Sequence, residues 1–84
     1  MEASAILERM RAYFDGRQPE EVLQGFAGQS PRALLKESLD VVDFIVYLEE
    51  ELGREIPINQ LGEALLNKNF GDLSVEVSKM LAES

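Results

Sequence analysis

The 84-residue chain contains no cysteine and no histidine. Without cysteine, neither disulfides nor thiolate metal sites can staple a domain that lies near the lower size limit for a single core. Without histidine, the usual general base, the Ser-His-Asp triad and most zinc sites are excluded. Long hydrophobic runs are missing as well: no apolar stretch approaches the length of a membrane span. The N-terminus lacks the basic and apolar regions of a signal peptide. The expectation is one soluble domain, residues 1–84, in the cytoplasm, with no metal site.

Basic residues are scarce, eight against sixteen acids, and the net charge of −8 is unevenly placed. Residues 1–36 carry five acids and five bases. Residues 37–55 carry seven acids (Glu37, Asp40, Asp43, Glu49, Glu50, Glu51, Glu55) against Arg54 alone, and residues 56–84 add four acids and two lysines. Three quarters of the excess charge therefore falls on one segment. Such a field repels nucleic acid and draws basic protein surfaces inward.

Hydrophobic spacing predicts helices joined by loops. Ile6, Leu7, Met10, Tyr13 and Phe14 recur at helical intervals, and Asp15-Gly16 supplies a stop. A long connection follows over residues 16–37, with Pro31 among its breakers and one helical turn expected after Pro19, carrying Val22, Leu23 and Phe26. The second helix is expected from Ser38 to Leu52, capped by Gly53. A shorter helix is expected over Asn59 to Leu66. The last is expected to start near Asp72 as N-cap, with Leu73, Val77, Met80 and Leu81 inward. No strand alternation or repeat is present. The fold class predicted is all-α, a small four-helix bundle with a long loop between the first and second helices.

Around the second helix, side chains sort at about 100° per residue into two apolar stripes. Phe44, Leu48, Val41, Leu52 and Ile45 share one side; Leu39, Val42 and Val46 fall nearly opposite, with acids between the stripes. Periodicity alone leaves two readings open: a central helix touching neighbours on both sides, or one core face and one acid-rimmed docking strip.

Ser38 opens this helix among carboxylates. Glu37 and Asp40 would repel a free anion, so the run does not suit a phosphate-binding pocket. Nor is Ser38 a ready nucleophile, since no histidine can serve as its base and a Ser-Lys pair with Lys36 requires a desolvated cleft. Its simplest role is N-capping, the hydroxyl accepting a first-turn backbone N–H. A serine modified by another protein fits the surroundings better. A phosphodiester there would sit at the positive helix end, offsetting repulsion from the two carboxylates, which could also help hold a divalent cation during transfer.

The stretch from Glu37-Ser38-Leu39-Asp40 through Glu49-Glu50-Glu51-Leu52 to Glu55-Ile56-Pro57 resembles the modification motif and second helix of the acyl carrier protein family. Phe70-Gly71-Asp72-Leu73, leading into the last helix, and the total length agree more loosely. The resemblance implies that Ser38 carries 4′-phosphopantetheine, attached by a phosphopantetheinyl transferase from coenzyme A. It also implies acyl groups held as thioesters for partner enzymes of fatty acid, lipid or polyketide-type biosynthesis with basic docking surfaces. By matching position, Glu37, Asp40, Asp43, Glu49 and Glu50 would supply docking charge, and Leu39, Val42 and Val46 apolar contact. Phe44, Ile45, Leu48 and Leu52 are implied liners of an acyl pocket. The carrier would act as a monomer without catalysis of its own.

Three features depart from the family pattern. Glu37 stands where aspartate is usual, Leu34-Leu35-Lys36 replaces a small, often glycine-containing approach, and Val41 and Tyr47 are bulkier than usual. They point to a specialised carrier with a differently packed approach to Ser38. The alternative is a carrier-like helical adaptor, never modified, that binds a basic partner through the acidic helix. A carrier of aminoacyl or peptidyl groups fits less well, because such domains are less acidic along this helix.

Overall fold

In the computed structural model, which describes residues 2–83, the apolar periodicity becomes α1 (Ala3–Phe14), α2 (Glu20–Gln24), a 3-10 turn (Phe26–Gly28), α3 (Pro31–Leu34), α4 (Ser38–Leu52), α5 (Ile58–Asn67) and α6 (Phe70–Glu83). The described residues contain no strand; a single bridge pairs Asp15 with Gln18. The chain is all-α, and four of its helices have ten or more residues.

Local chemistry explains most of the boundaries. α1 stops where Gly16 takes φ 85°, and α4 stops where Gly53 takes φ 67°, a left-handed conformation that costs glycine little and other residues much. The amides of Gly53 and Arg54 both donate to the Glu49 carbonyl, satisfying the open end of α4. The connection over residues 16–37 is more ordered than expected, with three short helical pieces instead of one turn. Pro31 is not a breaker: it occupies the first turn of α3, where its missing N–H costs nothing. Ser30 caps that helix, its hydroxyl accepting the Arg32 N–H at 3.3 Å.

α6 begins two residues before the expected Asp72. The cap is supplied by Asn69, whose side-chain oxygen accepts the Asp72 N–H at 2.8 Å, while Asp72 sits inside the first turn. Gly71 does not end anything. A Cβ there would approach the Ala27 carbonyl oxygen to 3.2 Å, so glycine lets α6 lie against the 3-10 turn.

The core is organised by aromatics. All six of the chain's aromatic side chains form one connected cluster. Phe26 stacks on Phe70 at 4.3 Å and 19°; Phe14 meets Phe26, Phe44 and Phe70 at 5.5–5.6 Å. The two tyrosines close the edge of the cluster, Tyr13 contacting Phe44 and Tyr47 at 5.3 Å. Arg17 covers the Tyr13 ring at 4.4 Å and donates to its carbonyl at 2.7 Å. Around this cluster pack Ile6, Met10, Leu48, Leu61, Leu73 and Val77, all buried. The inward set expected for the last helix holds for Leu73, Val77 and Leu81, while Met80 packs on the core edge. Exposed ion pairs, such as Arg9–Glu51 at 2.9 Å between α1 and α4, add little to this core.

Phe44 is fully enclosed and touches three other rings. Phe44→Ala is therefore expected to lower stability by about 3–5 kcal/mol, measured by urea denaturation; a loss below about 1 kcal/mol would remove Phe44 from the core.

Candidate functional site

Ser38 is the first helical residue of α4, and the capping position belongs to Glu37, whose backbone is extended at φ −113°, ψ 153°. Glu37 and Asp40 form a capping box across the first turn, in which the Asp40 carboxylate accepts the Glu37 N–H at 3.4 Å. N-capping by Ser38 is thereby corrected: two acids perform it. The Ser38 hydroxyl is exposed and makes no hydrogen bond to any described residue.

The two stripes of α4 have different environments. Phe44, Ile45 and Leu48 are buried, and Val41 and Leu52 pack on the edge of the core. Leu39, Val42 and Val46 are exposed at 72%, 47% and 45%, the first beside Ser38 and the others one and two turns along. The strip is thus open to solvent and not a second packing face. Asp43 and Glu50 are exposed on its flanks, and Asp40 is half-buried. Glu49 has a structural task too: its Oε2 accepts the Ile56 N–H at 2.8 Å and ties the connection between α4 and α5 to the helix. Glu51 is drawn toward α1 by Arg9.

A surface groove of about 500 Å³ begins at Ser38. Leu35, Val41, Leu65 and Leu66 form its apolar walls, so it runs between the approach to α4, α4 itself and the end of α5. Phe44, Ile45, Leu48 and Leu52, the liners implied by resemblance, are not the residues around it: the first three lie in the closed core and Leu52 on its edge. Leu35 and Leu65 are themselves buried, whereas Leu66 is 59% exposed. In the approach to Ser38, α3 ends at Leu34 and Leu35 turns into the core. Groove residues from α5 carry no sequence signal, because only tertiary packing brings that helix beside Ser38.

A chemically free hydroxyl, an apolar groove starting at its base and an acid-flanked apolar strip thus occupy one end and one face of α4. No helix among the described residues is long and apolar enough to cross a membrane. No family model matches the chain, and neither does any curated protein or solved structure.

The cap assignment separates two neighbouring substitutions. Asp40→Ala removes half of the capping box and is expected to cost about 0.5–2 kcal/mol. Ser38→Ala removes no hydrogen bond and should stay within about 0.5 kcal/mol of the parent in the same denaturation assay.

Proposed function

We propose that the chain is an acyl carrier protein, with α1, α4, α5 and α6 as its four main helices and Ser38 as the attachment point of 4′-phosphopantetheine. The observation that carries this reading is the Ser38 hydroxyl, exposed and without a hydrogen-bond partner at the start of the most acidic helix. A structural serine at a helix start is ordinarily consumed by capping. Here Glu37 and Asp40 do that work and leave the oxygen available. Space is consistent with the reading too, since Ser38 is among the residues that line the groove. When bound, the group supplies a thiol on a long arm that holds acyl groups as thioesters.

The residues of the chain then divide the labour. Ser38 Oγ would hold the group as a phosphoester, made as the pyrophosphate of coenzyme A is cleaved, with adenosine 3′,5′-bisphosphate as the leaving group and the hydroxyl proton taken by the transferase. Leu39, Val42 and Val46 provide apolar contact for that transferase and for acyl-handling enzymes, while Asp40, Asp43 and Glu50 steer their basic surfaces toward Ser38. Glu49 shares in the field while holding Ile56. A carrier must leave each partner quickly, and steering by charge raises the association rate without requiring a large buried interface. The chain acts as a monomer and contributes no catalysis.

Intact mass after incubation with coenzyme A, magnesium and a broad-specificity phosphopantetheinyl transferase tests the assignment. One added phosphopantetheinyl group, absent from Ser38→Ala, is expected. No mass change in the folded chain would leave the acidic helix as the binding face of an unmodified adaptor. Docking is tested separately at Asp43 and Glu50, whose carboxylates make no structural hydrogen bond among the described residues. Asp43→Lys with Glu50→Lys should slow modification roughly tenfold at low ionic strength and flatten its salt dependence.

A further inference from the structure

The groove beside Ser38 runs against the charge of the molecule around it. Arg32 and Lys36 both border it, opposed only by Glu37. The linings of four other surface grooves are neutral or negative in sum. In a chain of net charge −8, this is a local positive site. Its cations are also unspent. Arg9, Arg11 and Lys68 have ion pairs and Arg17 lies over Tyr13, but Arg32 and Lys36 pair with no described residue. Glu37 offsets one of the two charges, which leaves the lining one unit positive.

We infer that this groove selects acyl cargo ending in a carboxylate over cargo of the same length ending in a methyl group. The terminal carboxylate is seated between Arg32 and Lys36, and the methylenes lie on Leu35, Val41, Leu65 and Leu66. The inference rests on the carrier reading of Ser38 and adds the class of cargo. A wholly apolar chain in the groove would displace water from two cations and return nothing to them. A carboxylate returns charge-assisted hydrogen bonds, with the guanidinium of Arg32 offering a planar fork that matches its two oxygens. Along α4 the same carboxylate meets Asp40, Asp43 and Glu50, so repulsion from the acidic face and attraction at the groove act in one direction.

The experiment compares S-hexanoyl and S-adipoyl forms of the modified protein, which differ only in the far end of a six-carbon chain. Amide spectra of the adipoyl form are expected to show added shifts at Arg32, Lys36, Leu65 and Leu66. Its thioester should be cleaved by hydroxylamine about two- to fivefold more slowly than the hexanoyl one, the range an exposed ion pair supplies. Arg32→Gln with Lys36→Gln, both at exposed positions, should abolish the extra protection of the adipoyl form, so that it is no longer cleaved more slowly than the hexanoyl one. Equal spectra and equal rates for the two cargoes on a modified chain would overturn the inference and leave the carrier reading standing. Shifts at Arg32 and Lys36 in the modified, unloaded protein, unchanged by either cargo, would assign the cations to the arm's phosphodiester and likewise overturn it. A chain that takes no arm, read by mass before any cargo is loaded, overturns both.

Discussion

The stack of Phe26 on Phe70 is the contact on which the remaining architecture depends. A chain of 84 residues with no disulfide has little core to spare, and more than twenty of its residues lie between helices α1 and α4. Left loose, that connection would cost conformational entropy without contributing burial. Phe26 anchors it from within, and the Phe70 amide adds a second tie by donating to the Gln29 carbonyl at 3.0 Å. Gly71 spares the pair a Cβ that would press to 3.2 Å from the Ala27 carbonyl oxygen. With the connection pinned at its middle, α3 follows directly, and Leu35 enters the core just before Ser38 emerges at the surface. The groove and the free hydroxyl are consequences of that anchoring.

α4 shows how one helix can serve a core and a surface at once. Its buried stripe inserts Phe44 and Leu48 among the aromatic rings, which fixes the rotation of the helix about its own axis. That rotation leaves Leu39, Val42 and Val46 facing water. Three scattered apolar residues on a surface would be ordinary. Three at helical intervals, flanked by acids and starting next to an unengaged serine, form a continuous strip with a defined end. The acids keep the strip from being a general adhesive, since a like-charged copy of the same chain is repelled from it.

The parts of this arrangement legible in sequence were those with local causes. The end of α4 at Gly53 and the stop of α1 at Gly16 each follow from a glycine whose backbone freedom is strong enough to act alone, and the start of α4 lies within the acidic run that caps it. α3 was obscured because four residues are too few to display a period, although Ser30-Pro31 is a cap followed by a first-turn proline. The start of α6 was displaced because Asp72 reads locally as an N-cap, while the cap is Asn69 and the reason for Gly71 inside the first turn, the nearby Ala27 carbonyl, lies more than forty residues away in the chain. The two stripes of α4 were visible, but a periodicity is symmetric and does not say which side faces the protein. The cap at Ser38 turned on a shift of one residue, since a serine at a helix start reads as the cap while the box is closed by Glu37 and Asp40 on either side of it. The groove was invisible, since Leu65 and Leu66 belong to α5 and meet Ser38 only after folding.

The capping box at Glu37 and Asp40 has a consequence for the life of the molecule and not only for its shape. A residue that helps hold the native state resists chemical change, because altering it shifts the balance between folded and unfolded chains. Ser38 is outside that balance. On the proposed carrier reading, its esterification would break no native bond, and the two new electrostatic effects, attraction to the helix end and repulsion from neighbouring carboxylates, would oppose each other. Bare and esterified chains would then be nearly equal in thermodynamic durability, so a cell would hold a reserve of the one without losing it to proteolysis faster than the other. Maturation on that reading is a choice of timing instead of a rescue.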